Sequence, residues 1–195
     1  MRRLSDAYRM CAVTSNFDPS KEIRLLLAFF GESRLPQCLE IDVEEVPQRE
    51  RDLLAHRRHM TVTLEEHYRD RVKVVPYRVH QQGDLYGRKL DLVADSSGLV
   101  VMTGIMLFNF SCCDSKVRDL ILAEEVPLGR ILIENRILRR ISSETFVRVE
   151  ARDPFVQRFD LKTPQPAFGR LATIFYNGEP AVDLLEVVRP EDRPE

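Results

Sequence analysis

Asn177-Gly178 is the feature that most constrains how this chain folds. The dipeptide sits between two apolar segments, residues 168–176 and 180–188. A two-residue type I′ turn needs positive φ at both central positions, which Asn tolerates and Gly adopts freely. The pattern predicts an antiparallel hairpin. Its second strand carries Glu186 within an apolar run, and an inward carboxylate costs free energy unless it has a partner or a task.

A second hairpin is predicted from residues 85–94 and 99–110, joined by Asp95-Ser96-Ser97-Gly98. In its first strand Arg88 shares the alternation of Leu90 and Leu92, so this cation is aimed at the apolar face. Residues 72–79 and 137–150 read as further strands. Pro76 confines the former to an edge, a bulge or a strand start. Helical spacing marks residues 21–30. Residues 60–71 follow, with Thr61 or Thr63 as cap and Thr63-x-x-Glu66 as a capping box. A third short helix starts at Asp114 or Ser115. Residues 40–51 read as a loop around Pro47, 127–129 as a tight turn and 152–165 as a loop.

About six strands, paired mainly through hairpins, predict an α+β fold with one curved antiparallel sheet. Residues 1–50 read as an N-terminal arm with an edge helix, and 51–195 as the main domain. In total 195 residues are enough for one sizeable core.

The charge balance, 29 basic against 31 acidic residues, gives no drive toward nucleic acid. No apolar run is long enough to span a bilayer, and the start does not read as a secretory signal. These features point to the cytosol. The four cysteines form no CxxC pair and are expected to be buried, reduced thiols. There is no GxGxxG, no GxxxxGK, no GxSxG and no HExxH. His56-Arg57-Arg58-His59 reads as a solvated positive segment or a lid in preference to a metal pair.

Arg88 and Glu186 remain. Arg88 offers a planar fork for a carboxylate. Glu186 offers an acceptor or a base. The alternative is that both are spent on structural ion pairs, with each other or with other side chains. Leu128-Gly129 could add backbone N–H groups toward an anion.

The order of Leu53-Leu54, Met60-Thr61, Leu64-Glu65, Tyr86-Gly87-Arg88-Lys89-Leu90, Leu128-Gly129-Arg130-Ile131-Leu132, Phe168-Gly169-Arg170, Gly178-Glu179-Pro180 and Leu185-Glu186 resembles that of the chorismate pyruvate-lyases. It covers roughly residues 50–190. That superfamily also takes in UTRA-like effector-binding domains of transcription regulators, which hold small acids in a similar cavity. The resemblance implies an antiparallel sheet with helical flaps over an internal, cofactor-free cavity. It implies elimination of pyruvate from chorismate to give 4-hydroxybenzoate. Arg88 would then grip the ring carboxylate, with the backbone at Leu128 and Gly129 assisting. Glu186 would hydrogen-bond the ring hydroxyl and help remove the proton, and Met60 would cover the ligand from a flap. The alternatives are a non-catalytic module for a small aromatic or cyclic acid, or a lyase-fold enzyme for a different acid. The expected cavity is that of small-ligand sites, roughly 300–1,000 Å³. Gly87, Lys89 and Phe168 depart from the family pattern and leave the substrate open. Oligomeric state is not legible.

Overall fold

The structure, a computed structural model, describes residues 19–33 and 36–191. The chain runs α1 (Pro19–Phe29), β1 (Cys38–Ile41), a 3-10 turn (Val43–Glu45), α2 (Gln48–Leu54), α3 (Met60–Tyr68), β2 (Val72–Gln82), β3 (Leu85–Ala94) and β4 (Val100–Asn109). A second 3-10 turn (Phe110–Cys112), α4 (Ser115–Leu122), α5 (Leu128–Glu134), β5 (Arg139–Val149), α6 (Pro154–Gln157), β6 (Ala167–Tyr176) and β7 (Glu179–Val188) follow.

The strands form one fully antiparallel sheet in the order β1-β5-β6-β7-β4-β3-β2. Among the described residues it has seven strands where about six were expected. The extra strand is β1, only four residues long, which pairs with β5. The β6–β7 turn has Asn177 at φ 50° and Gly178 at φ 93°, both positive as the dipeptide requires. β2 lies at the sheet edge and its register shifts between Pro76 and Arg78, where proline cannot donate to the ladder.

Four local expectations are corrected. Residues 40–51 are not one loop: they hold the end of β1, a 3-10 turn and the start of α2, with Pro47 at the N-cap. Residues 127–129 open helix α5, again behind an N-cap proline, Pro127. Residues 152–165 include the single turn of α6, capped by Asp153. The cap of α3 is His59, while Thr63 sits inside the helix with its hydroxyl on the His59 carbonyl at 3.4 Å. Proline suits a helix start because the first helical N–H groups lack intrahelical acceptors. Cys38, Cys112 and Cys113 are free and half-buried rather than buried; Cys11 lies outside the described residues.

Each face of the sheet has its own core. One buries Leu90, Leu92, Met102, Met106, Phe108 and Leu184 beneath helices α2 to α5. The other buries Ile105, Leu107, Leu185 and Val187 beneath α1 and α6. On this second face lie two of the three departures from the lyase pattern, and α1 accounts for both. A Cβ on Gly87 would stand 2.7 Å from the Phe29 ring, so glycine makes room for α1. Lys89 reaches Glu32, just beyond α1, at 2.5 Å, and lies over the Phe30 and Phe155 rings. Gly87 and Lys89 dock the N-terminal helix and do not face the interior of the opposite side.

Gly87→Val should displace Phe29 and cost about 1–3 kcal/mol in urea unfolding, the usual range for overpacking. Adding Phe29→Ala should recover part of that loss. Strict additivity of the two substitutions would contradict this packing.

Candidate ligand-binding site

The register places the site residues. Arg88 pairs with Met106 and Met106 with Leu184. Gly104 lies opposite both Leu90 and Glu186. Directly opposed residues share a face, so Arg88 and Glu186 stand on the same side, separated by the β4 strand. No side chain rises from Gly104 between them. A Cβ there would meet the Leu185 carbonyl oxygen at 2.2 Å, so the backbones approach too closely for any larger residue.

On this face a cavity of about 60 Å³ lies between the sheet and the helices. Met60, Arg88, Leu128, Gly129 and Glu186 all line it. The cavity falls well short of the expected size. At 10–15 Å³ per enclosed water it has room for about four to six water-sized groups. The helices close tightly because Gly129 lets α5 sit against His59: a Cβ on Gly129 would stand 2.9 Å from the His59 Cβ.

Arg88 is 1 % exposed, and its Nε and Nη1 have no hydrogen-bond partner. Burial lowers the pKa of the guanidinium, while nearby Tyr86 and Glu124 oppose that shift. Tyr86 hydrogen-bonds Arg88 and donates its own proton to Glu124 Oε1 at 2.6 Å. A buried cation with two idle donors is costly and calls for an anion.

Glu186 does not pair with Arg88. It accepts from Arg170 Nε at 2.8 Å, across the β6–β7 ladder. The Nη1 of Arg170 donates to the carbonyls of Leu54 and His56, each at 2.9 Å. Arg170 thus joins the sheet, the end of α2 and the segment leading to α3. It was quoted in the Phe168-Gly169-Arg170 motif without a role. The alternation of Phe168, Arg170, Ala172 and Ile174 could have shown its inward direction.

The predicted solvated segment is split. Arg57 and Arg58 are exposed, whereas His59 is 6 % exposed and lines the cavity with Thr61, neither of them anticipated. Arg139 Nε donates to His59 Nε2. Burial, reinforced by Arg139 and Arg170, pushes the His59 pKa down to about 4. Burial, then Arg170, also lowers that of His56. Among the described residues, no cluster of three or more His, Cys, Asp or Glu could hold a metal ion, and no helix is long and apolar enough to cross a membrane.

No protein-family model matches this sequence, and no curated protein matches it. Solved structures share the fold. The PhnF structure from Mycobacterium smegmatis is 10 % identical with a TM-score of 0.54, over 98 % of this chain and 96 % of that one. A PhnF C-terminal domain is 16 % identical with a TM-score of 0.44, over 60 % and 80 %. A GntR-family transcriptional regulator from Bacillus cereus is 9 % identical with a TM-score of 0.42, over 64 % and 95 %. At these identities the likeness concerns architecture, and it is the Mycobacterium smegmatis structure that carries it.

Arg170→Met should cost about 3–5 kcal/mol in urea unfolding, since it leaves Glu186 buried without its partner. Arg170→Met with Glu186→Leu should regain most of that loss; no recovery would show that the two do not act as a pair.

Acid should also weaken the fold. His59 titrates near 6.5 when unfolded and near 4 when folded, so the unfolded chain holds the extra proton between those values. Stability therefore falls as pH drops from about 6.5 to about 4, by on the order of 3 kcal/mol from this group. His59→Gln should flatten that part of the stability–pH curve; an unchanged curve would contradict burial of a neutral His59.

Proposed function

We propose that this chain is a binding module for a small carboxylic acid. The observation that carries the reading is Arg88, fully buried, with Nε and Nη1 unpartnered at the wall of a cavity between sheet and helices. Each idle N–H of the guanidinium offers a charge-assisted hydrogen bond to an anion's oxygen. Among the cavity-lining residues Glu186 is paired with Arg170, which leaves Arg88 as the charged group with idle donors. A monoanion balances it. The ligand's apolar body would lie among Leu90, Met102 and Met106, with Met60, Leu128 and Gly129 closing over it from α3 and α5. Glu186 can accept a hydrogen bond from a ligand hydroxyl through whatever lone pairs Arg170 leaves open. Such a module fits the resemblance to effector-binding domains.

A second reading is favoured by one observation, the shared cavity of Arg88 and Glu186. It is the chorismate lyase reaction, with Arg88 on the ring carboxylate and Glu186 assisting proton removal from the ring. One feature weighs against it: chorismate is a dianion, and the cavity is lined by a single arginine.

Calorimetry with benzoate and 4-hydroxybenzoate tests the module, with Arg88→Met as the comparison. A lost charge-assisted contact should weaken binding roughly tenfold to a hundredfold. The same variant should unfold at equal or higher urea concentration, because methionine replaces an unpaired buried cation. Equal binding by the two proteins would overturn the proposal. Pyruvate release from chorismate above the Arg88→Met background would move the assignment to the lyase.

A further inference from the structure

Arg139 stands at the start of β5 and takes no part in the acid site proposed above, yet it fixes the chemistry of a residue that lines that cavity. Its Nε–H donates to His59 Nε2, and its Nη1 donates to the Ile137 carbonyl at 3.2 Å. A guanidinium can only donate. The Nε2 it meets must therefore be the unprotonated nitrogen of His59. In a neutral imidazole the proton then sits on Nδ1.

That nitrogen lies on the edge of the ring that faces Gly129: a Cβ on Gly129 would stand 3.1 Å from it. Both His59 and Gly129 belong to the cavity wall, as do Thr61 and Arg88. Packing holds the ring in place, since His59 is the N-cap of α3, is 6 % exposed and is pressed against α5. The other charged groups acting on the ring are cations, Arg139 and Arg170, and both disfavour a second proton.

We infer that His59 is a ligand-facing donor, presenting Nδ1–H to the acid held by Arg88, and that Arg139 is the positioning residue that sets this tautomer. The inference rests on the acid-binding reading. It adds a specificity rule: the site supplies one cation and one neutral donor. It therefore favours a monocarboxylate over a dianion such as a phosphate monoester, and it keeps that preference under mild acid because His59 does not gain charge.

The test uses the full chain with ¹⁵N-labelled histidine. Imidazole long-range ¹H–¹⁵N correlation spectra are recorded without ligand, and His59 is assigned by its absence in His59→Gln. The wild-type ring should show a protonated Nδ1 and a bare Nε2 from pH 7 to pH 5. Arg139→Met should release it to a tautomer mixture that titrates closer to pH 6.5, while Arg139→Lys, which keeps a cationic donor, should restore much of the wild-type signature. Calorimetry with benzoate should show Arg139→Met and His59→Gln binding about tenfold or more weakly, with the Lys variant intermediate. Inorganic phosphate should bind more weakly than benzoate in the wild type.

A wild-type His59 carrying its proton on Nε2 would overturn the inference regardless of any ligand result. An Nδ1–H ring with unchanged benzoate affinity in both variants would overturn the donor role. The absence of benzoate binding to wild type, with the Nδ1–H signature present, would instead sink the acid-binding reading and with it the ligand contact, leaving only the Arg139–His59 pair.

Discussion

Arg170 is where the sheet meets its helical cover. Its Nε holds Glu186 on the neighbouring strand, and its Nη1 holds the Leu54 and His56 carbonyls. The last carbonyls of a helix lack intrahelical donors, and a buried arginine is an effective way to satisfy them when water is excluded. Without that pin the segment carrying His56 and His59 would lose its anchor on the sheet, and α3 would lose its fixed height above Gly104. The space beside Arg88 exists because α3 and α5 are held at that height.

The two inward cations of this face are thus used in opposite ways. Arg170 has partners for its charge and stabilises the arrangement. Arg88, on the far side of β4, has two donors left idle at 1 % exposure. A protein gains nothing in stability from such a group, since an apolar residue of the same length would fill the site at less cost. Retaining the charge makes physical sense where a second molecule completes it. That asymmetry, more than the likeness of the fold to regulator structures, is what supports the acid-binding proposal.

Much of the architecture was legible because hairpins are local. Asn177-Gly178 and Asp95-Ser96-Ser97-Gly98 named four strands, and the alternation around Arg88 gave its face. What was missed depended on contacts distant in sequence. Counted from the Asn177-Gly178 turn, Arg170 would stand opposite Leu185, on the wrong face to meet Glu186. The register shift between Ile174 and Phe175 moves the pairing by one residue and brings Arg170 opposite Glu186. Pro180, paired with Phe175 at that shift, is the one residue that could have announced it. β1 is four residues long and gains its ladder from β5, over a hundred residues later. The burial of His59 follows from Gly129 and Arg139, neither of which is close to it in the chain. Gly87 and Lys89 looked like marks of a different substrate, and became intelligible once α1 was seen to pack on the opposite face.

The most direct test of the account is a crystal structure of the protein grown with 4-hydroxybenzoate. The account predicts the ligand inside the cavity, its carboxylate within hydrogen-bond distance of Arg88 Nε or Nη1, and the Arg170–Glu186 pair intact. A ligand bound elsewhere, or an Arg88 guanidinium satisfied by the protein's own side chains, would contradict it.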